Sequence, residues 1–332
     1  MTILAGDIGG TKTVLAYFEV REGGLRPGAS SSFHSRDHAS LGEIVARFTK
    51  DSRFPVDQAC FGVAGPVREG RCETTNLAWV VDSRDLASHL RLPLHRVALI
   101  NDLEANAYGI PLLKAEDLAS LNEGSPDLAG SNAAVISAGT GLGEAGLVWQ
   151  GKHQIPIASE GGHASFAPEN DEEAELLAFL RREYGHVSVE RVLSGTGLHN
   201  IYRFLRDTGR GEDPVWLAER MRETDPAAAI SEAALEGRSD LCAHALEMFV
   251  AVYGSEAGNL ALKLLASAGV YVGGGIAPKI LVKMKEPAFM RAFTAKGRMG
   301  PLLEAIPVRV ILNDRTALLG AARCAALRAS MI

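Results

Sequence analysis

The chain has few cysteines, and their spacing matches no metal or redox motif. Only four occur among 332 residues, at Cys60, Cys72, Cys242 and Cys324, and no two have the C-x-x-C spacing. No group of histidines completes a zinc pattern around them. Because disulfide frameworks belong mainly to small secreted domains, we interpret all four cysteines as reduced thiols.

The sequence also lacks segments that would direct it to a membrane. Its first residues, MTILAGDIGG, reach Asp7 without a basic lead or a long apolar stretch, so no secretory signal is predicted. The uncharged runs at 128–143 and 264–278 are too short and too rich in glycine to span a bilayer. We therefore expect a cytoplasmic protein that does not bind membranes.

Basic residues are outnumbered by acidic ones. Lysine and arginine total 34 against 40 aspartate and glutamate residues, which gives a net charge of −6. An acidic chain is a poor match for the phosphate backbone, so no nucleic-acid partner is expected. With 47% apolar and 22% charged residues the composition is that of a globular protein, and the length predicts about two domains.

Three glycine-rich stretches each follow an apolar segment that reads as a β-strand. They are DIGGTKT at 7–13, SAGTGLG at 137–143 and GGGIAPK at 273–279. Bare backbone lets N–H groups approach an anion, so the first two predict phosphate contacts, and the third can lie against a flat base or ribose. A hairpin turn, a bulge and a strand-to-helix packing turn remain the respective alternatives. The candidate residues are Gly9, Gly10, Thr11, Lys12, Gly139, Thr140, Gly141, Gly273, Gly274 and Gly275.

Asp7 ends the strand that leads into the first glycine stretch. A carboxylate there can hold Mg²⁺ directly or through water, or simply cap a turn. The stretch is not a Walker A loop, since GxxxxGK[ST] is missing, and a strand rather than a helix follows it. The echo between 7–13 and 137–143 suggests a duplicated α/β unit with a ligand in the cleft between its halves.

Five polar residues are candidates for contact with a hydroxylated substrate. Asp102 follows an apolar strand and can accept a proton from a substrate hydroxyl, with Asn101 orienting it, although taken alone the pair is better explained as an N-cap. Glu160 and His163 share one tight loop and could pair with adjacent hydroxyls; the metal interpretation is weak there. Glu190 lies in the first turn of a predicted helix, where it would complement the helix dipole.

Eight ordered motifs resemble those of bacterial glucokinases over about residues 3–323. They are DIGGTKT, FGVAGPV (61–67), TNLAW (75–79), INDLEANAYGI (100–110), SAGTGLG, EGGHASFAP (160–168), ERVLSGTGL (190–198) and VGGGIAPK (272–279). The resemblance implies a two-domain α/β fold of the actin/hexokinase-like (ribonuclease H-like) type with a central cleft. The small domain would be 1–110 plus 313–332, and the large domain 111–312.

The resemblance also implies an activity and roles for residues. The chain would transfer the γ-phosphoryl group of ATP to the 6-hydroxyl of glucose, with Asp102 as the base and Mg²⁺ near Asp7. Glucose contacts would come from Asn101, Glu160, His163 and Glu190. Phosphate contacts would come from 9–12 and 139–141, and adenosine contacts from 273–275. A homodimer that binds glucose and ATP is expected.

Two departures from related families qualify these implications. Lys12 stands where many proteobacterial members have Asn, whereas the related ROK sugar kinases often have Lys, so its role stays open. No cysteine-rich zinc motif follows the loop at Glu160, which favours the zinc-free group.

Three other functions compete with the glucose-specific one. A broad hexose or amino-sugar kinase would use the same residues. A sugar-sensing regulator would need a DNA-binding helix-turn-helix ahead of the first glycine stretch, which begins at residue 7. A chaperone or filament ATPase of the same fold would not need the sugar contacts.

Overall fold

The computed structural model describes residues 1–50, 55–74, 77–125 and 131–332, and the chain divides into two compact units. Unit 1 is Met1–Lys114, Gln150–Ala158 and Asn313–Ile332, and unit 2 is Ala115–Trp149 and Ser159–Leu312. The domains expected from the sequence assign 150–158 differently. Within unit 1 that segment packs against the helix Asp102–Gly109, and the Arg323 guanidinium donates to the Gln154 carbonyl at 3.1 Å. Thr75 and Asn76 of the TNLAW motif, and residues 126–130, lie outside the described residues.

Fourteen strands are found in the described residues. They are β1 Thr2–Ile8, β2 Lys12–Arg21, β3 Gly24–His34, β4 Gln58–Val63, β5 Val67–Arg68, β6 Arg71–Glu73, β7 Val80–Asp82, β8 Val97–Asn101, β9 Leu118–Asn122, β10 Ala133–Ala138, β11 Leu142–Gln150, β12 His153–Ala158, β13 Gly269–Gly273 and β14 Val308–Ile311.

Twelve α-helices accompany them in the same parts of the chain. They are α1 Leu41–Thr49, α2 Ser83–Leu90, α3 Asp102–Gly109, α4 Asp171–Tyr184, α5 Gly195–Asp207, α6 Val215–Glu223, α7 Pro226–Leu235, α8 Asp240–Leu264, α9 Leu281–Met284, α10 Pro287–Thr294, α11 Gly300–Glu304 and α12 Thr316–Arg328. Among the described residues, no helix is both long and apolar enough to cross a bilayer.

The first sheet has the strand order β3-β2-β1-β4-β8. β1 and β2 form the predicted antiparallel hairpin, whose turn is closed by a 3.0 Å hydrogen bond from the Gly9 N–H to the Lys12 carbonyl. Gly23–Gly24 and Pro27 predict a turn ahead of a short strand at 30–34, but β3 already begins at Gly24 and includes Pro27. Proline is tolerated there because β3 is an edge strand.

Helix α1 begins where the sequence predicts. Ser40 is its N-cap and accepts a hydrogen bond from the Glu43 N–H at 3.3 Å. The Glu43 carboxylate accepts in turn from the Ala39 N–H at 2.9 Å, so two backbone donors at the helix start are satisfied. Ile44 and Val45 are fully buried beneath the sheet of unit 1. The capping pattern therefore fixes both the start and the buried face of this helix.

The second sheet repeats the order of the first. Its strands run β12-β11-β10-β13-β14-β9, so a hairpin (β10 and β11) again adjoins two parallel partners (β13 and β14). Each hairpin turns at a glycine stretch, at residues 9–12 and 139–141. This repetition supports the duplicated α/β unit suggested by the echo between the two motifs. The long helix α8, capped by Ser239, is buried along most of its length against this sheet.

Candidate active site

The candidate acidic residues of unit 1 lie at the carboxyl ends of two strands in the first sheet. Ile8 of β1 pairs with Val63 of β4, and Val63 pairs with Asn101 of β8. Asp7 and Asp102 therefore both lie at the carboxyl end of this sheet, where open α/β folds place their ligands. The sequence placed these residues at strand ends, and the register brings those ends together.

Asn101 is the residue that caps helix α3. Its Oδ1 accepts from the Leu103 N–H at 2.8 Å, and its Nδ2 donates to the Gly65 carbonyl at 3.0 Å. The N-cap alternative therefore applies to Asn101, and Asp102 is the first residue inside the helix. Since the amide still has a second N–H and a second lone pair, its structural role is compatible with contact to a substrate.

Asp102 is half-buried, and its orientation is fixed locally. Its Oδ1 lies 2.9 Å from the Leu103 nitrogen and shares that N–H with the Asn101 Oδ1. This bond selects the side-chain conformation at the helix start, where the helix dipole also favours a carboxylate. The carboxylate is thus held in place before any substrate binds.

Asp7 lies among like charges. Shielding from water, followed by the charges of Asp102 and Asp314, raises its pKa to about 6, while Lys12 acts in the opposite direction. A divalent cation bound beside Asp7 would neutralise this excess of negative charge. No group of three or more metal-ligating side chains is present in the described residues. The donors fit Mg²⁺, which uses one or two carboxylates and takes its other ligands from phosphates and water.

The first glycine stretch is braced by a serine that no sequence motif singled out. The Ser35 hydroxyl donates to the Gly9 carbonyl at 2.8 Å and lies 2.9 Å from the Thr13 hydroxyl. The Ser35 N–H donates to the Thr11 carbonyl at 2.9 Å. Thr11 and Lys12 are exposed at the tip of this turn, where they can meet a ligand. Nothing in the local sequence distinguishes Ser35 from its neighbouring serines.

In unit 2, Glu160 and His163 flank a tight turn, as predicted. The turn is a 3₁₀ helix at Gly161–His163, and the Glu160 Oε2 and His163 Nε2 atoms lie 4.0 Å apart. Both side chains are exposed, by 77% and 61% respectively. Gly161 packs so closely on β11 that a Cβ there would collide with the Glu144 carboxylate. The turn therefore needs a glycine and presents an acceptor and an imidazole side by side.

A buried carboxyl group that the sequence did not reveal lies beneath this turn. Glu144 is 1% exposed, and its Oε1 has no hydrogen-bond partner among the described residues. Burial, together with the charge of Glu256 and a hydrogen bond to it, raises the Glu144 pKa to about 7, while Lys263 opposes the shift. The only sequence signal was a charged residue within an otherwise apolar strand.

Glu190 is tied to the second glycine stretch. It lies in the short 3₁₀ turn Val189–Arg191 rather than in the first turn of a long helix, since α5 starts later, with Ser194 as its cap. Its Oε2 accepts from the Leu142 N–H at 2.9 Å. A Cβ on Gly141 would lie 2.6 Å from the same oxygen. Two residues chosen separately from the sequence thus meet in the structure.

The second and third glycine stretches meet at a pocket of about 640 Å³ in unit 2. Gly139, Thr140 and Gly275 line it, and a Cβ added to Gly139 or Gly275 would meet no atom within 4 Å. Their backbone is therefore open to a ligand. Gly274 has a different reason to be glycine: its φ is +84°, and a Cβ would collide with the Ala138 carbonyl.

Most of the pocket wall comes from residues to which the sequence motifs assigned no role. Gly195 and Thr196, in the first turn of α5, belong to a helix N-terminus, whose N–H groups are of the kind that bind anions, and one face of α7 adds small and apolar side chains. The alanine-rich sequence of α7 gives no sign of ligand binding. The further lining residues are Leu198, Asp225, Ala227, Ala228, Ser231, Glu232, Leu235, Ile276, Lys279 and Ile280.

Comparisons with known proteins agree across the whole chain. The glucokinase family profile matches residues 4–328. A glucokinase of Nostoc punctiforme is 45% identical, with 98% of each chain covered. Among solved structures, a glucokinase from an Antarctic psychrotroph superposes with a TM-score of 0.87 at 32% identity, covering 98% of this chain and 99% of that one. A ROK family glucokinase from Streptomyces griseus, in complex with glucose and AMPPNP, shares the fold (TM-score 0.62, 20% identity, coverage 98% and 100%).

Proposed function

The chain belongs to the glucokinase family, and from that premise we propose which of its residues carry out the reaction. The enzyme uses ATP to phosphorylate D-glucose at its 6-hydroxyl. Its two-unit α/β architecture has the actin/hexokinase-like fold predicted from the sequence. Each unit contributes side chains to the proposed catalytic and binding roles.

Asp102 is the proposed general base. As the O6–Pγ bond forms and the bond from Pγ to the β-phosphate oxygen breaks, the O6 proton passes to the Asp102 carboxylate and ADP leaves. In phosphoryl transfer the protein mainly positions the reactants and neutralises charge. A general base typically raises the rate about 10²–10⁴-fold. The observation that carries this role is the placement of Asp102, held by the Leu103 N–H at the carboxyl edge of the sheet close enough to Asp7 to raise its pKa.

Four side chains are proposed to hold the sugar. Glu160 and Glu190 can accept from glucose hydroxyls, His163 can donate or accept, and Asn101 can do both. Glu190 is oriented in advance by the Leu142 N–H, and Asn101 by its capping bonds. A site with several such groups rejects a sugar that lacks a hydroxyl, because a polar group would be left unpaired.

The pocket of unit 2 is proposed to hold the nucleotide. Its volume of about 640 Å³ suits a ligand of this size. The apolar side of α7, with Ile276 and Ile280, would pack against the base, while Gly275 lets it approach the backbone. Phosphate oxygens would approach the bare backbone of Gly139 and meet the N–H groups of Thr140 and Thr196, since the N–H groups of Gly139 and Gly195 already donate to the Gly141 and Gly139 carbonyls. The 9–12 turn of unit 1 stays a proposed phosphate contact.

Asp7 is the proposed Mg²⁺ contact, directly or through water. Its negatively charged surroundings fit a divalent ion that takes most of its ligands from phosphates and water. When bound there, Mg²⁺ would supply positive charge that neutralises the charge developing on the phosphates during transfer. Lys12 has no assigned role, and the cytoplasmic location and homodimer stay predictions.

A coupled ADP-release assay with glucose, mannose, fructose, glucosamine and N-acetylglucosamine tests the substrate. We expect a glucose rate at least tenfold above the others at equal concentration. Comparable rates with all five would instead support the broad hexose or amino-sugar kinase, and ATP hydrolysis independent of sugar would contradict both kinases. The sugar-sensing regulator is not favoured by the comparisons, whose named family is enzymatic.

A further inference from the structure

One buried tyrosine of α8 joins two backbone segments that lead into the nucleotide pocket. Tyr253 is fully buried, and its hydroxyl lies 3.1 Å from the Ala138 nitrogen and 3.1 Å from the Gly273 carbonyl oxygen. It accepts from the first and donates to the second. A third contact, to the Ile136 carbonyl, is longer at 3.5 Å.

These contacts lie where the ladder between two paired strands ends, and just beyond it the Ile276 N–H still donates to the Ala138 carbonyl at 3.4 Å. The parallel ladder between β10 and β13 ends at the pair Ser137 and Gly273. Beyond it, β10 continues through Ala138 into the 139–141 stretch, and β13 continues into Gly274 and Gly275. At the end of this ladder, the tyrosine hydroxyl bonds both strands at once. It acts immediately before the residues that line the pocket.

The chemistry of this position suits a hydroxyl, since the Ala138 N–H needs an acceptor and the Gly273 carbonyl needs a donor. Burial raises the pKa of Tyr253, so the phenol keeps the proton it donates. The ring is held edge-on to Phe249, at 6.1 Å between centroids, and tilted against Phe289 at 5.9 Å. The hydroxyl is therefore fixed in space by the core of unit 2.

We propose that Tyr253 is a positioning residue for the nucleotide: its hydroxyl sets the separation of Gly139 and Gly275, so that both can contact one ligand. This inference rests on the proposed function of the pocket as the ATP site. Tyr253 does not line the pocket and acts through the two strands. Its loss should weaken nucleotide binding more than glucose binding.

The test compares Tyr253→Phe, which removes only the hydroxyl, with Tyr202→Phe. Tyr202 is an equally buried tyrosine of unit 2 whose hydroxyl donates to Asp213, away from the pocket. We expect Tyr253→Phe to raise the ADP dissociation constant, measured by calorimetry without glucose, at least fivefold. The KM for ATP should rise similarly and the KM for glucose should stay within twofold. Tyr202→Phe should leave all three within twofold.

A second variant separates positioning from general stability. Phe249→Leu removes one ring neighbour of Tyr253, while Phe289 and the bonds to Ala138 and Gly273 still hold its hydroxyl, so it should lower the melting temperature without raising the ADP dissociation constant. The inference is overturned if Tyr253→Phe binds ADP as the wild type does. It is also overturned if Phe249→Leu and Tyr202→Phe weaken ADP binding as much as Tyr253→Phe does.

Gly275→Ala distinguishes this inference from the pocket assignment. Its added methyl group points into the open pocket and meets no protein atom within 4 Å. If Gly275→Ala weakens ADP binding and Tyr253→Phe does not, the role of Tyr253 fails and the pocket assignment stands. If neither variant weakens it, both fail.

Discussion

The Glu190 carboxylate accepts a hydrogen bond from the backbone N–H of Leu142 at 2.9 Å. Leu142 is the first residue of β11 and follows Gly141 directly. A residue proposed to hold glucose is therefore fixed by the end of the loop proposed to hold phosphate. In unit 2, the proposed sugar contact and the proposed phosphate contact share one short stretch of backbone.

Gly141→Ala should weaken glucose binding more than nucleotide binding. The new Cβ would lie 2.6 Å from the Glu190 Oε2, so the carboxylate must move and its bond to Leu142 must lengthen. We expect the KM for glucose to rise about tenfold, which corresponds to about 1.4 kcal/mol, with a smaller change in the KM for ATP. Steady-state kinetics with each substrate varied would measure this. An unchanged KM for glucose would argue against Glu190 as a sugar contact.

Gly139→Ala should show the opposite selectivity. The added methyl group faces open space in the pocket, so the folded protein accommodates it without a clash. We expect the melting temperature to stay within about 2 °C, since a change of about 1 kcal/mol shifts it by about 2–4 °C in proteins of up to roughly 250 residues. The KM for ATP should rise several-fold, with that for glucose little changed. A normal KM for ATP would remove Gly139 from the phosphate contacts.

Glu144→Gln should flatten the pH dependence of stability. The folded state raises the pKa of Glu144 from its ordinary 4.5 to about 7, so it holds a proton that the unfolded chain has released. Stability from this group is therefore fully present below about pH 4.5 and is lost as the pH rises through about 7, by about 3 kcal/mol in total. The glutamine amide can donate to Glu256 at any pH, because it does not titrate. At about pH 8 the Glu144→Gln variant should therefore be more stable than the wild type.

Urea unfolding from about pH 5 to about pH 8 would measure this difference, with the exposed Glu236→Gln as control. The control should keep the slope of the wild type. If Glu144→Gln keeps that slope as well, Glu144 does not hold the proton.

Local patterns in the sequence predicted the elements and site residues that depend on neighbours in the chain. The hairpin around Gly9 and the capped start of α1 follow from glycine turns and from a serine three residues before a glutamate. Asp7 and Asp102 were recognised because each follows an apolar run. Such signals extend over only a few residues, and the structure agrees with them for the hairpin and the start of α1, while the roles of Asp7 and Asp102 stay predictions.

Contacts between distant residues could not be predicted in this way. Tyr253 reads as one of many apolar positions in α8, and its bond to Ala138 joins residues 115 apart. Glu144 and Glu256 face each other from a strand and a helix that no pattern pairs. The α7 wall of the pocket is also invisible in the sequence, because alanine-rich helices more often pack against other helices. Only the fold brings these groups together.

The activity of Asp102→Asn tests the central claim most directly, with Asp82→Asn as the matched control. Asp82 also lies at a helix start in unit 1, and its Oδ1 accepts from the Arg84 N–H at 2.8 Å. If Asp102 is the base, kcat for glucose should fall about 10²–10⁴-fold while the melting temperature and glucose binding change little, and Asp82→Asn should keep normal turnover. Turnover of Asp102→Asn within threefold of the wild type, or no lower than that of Asp82→Asn, would contradict the account.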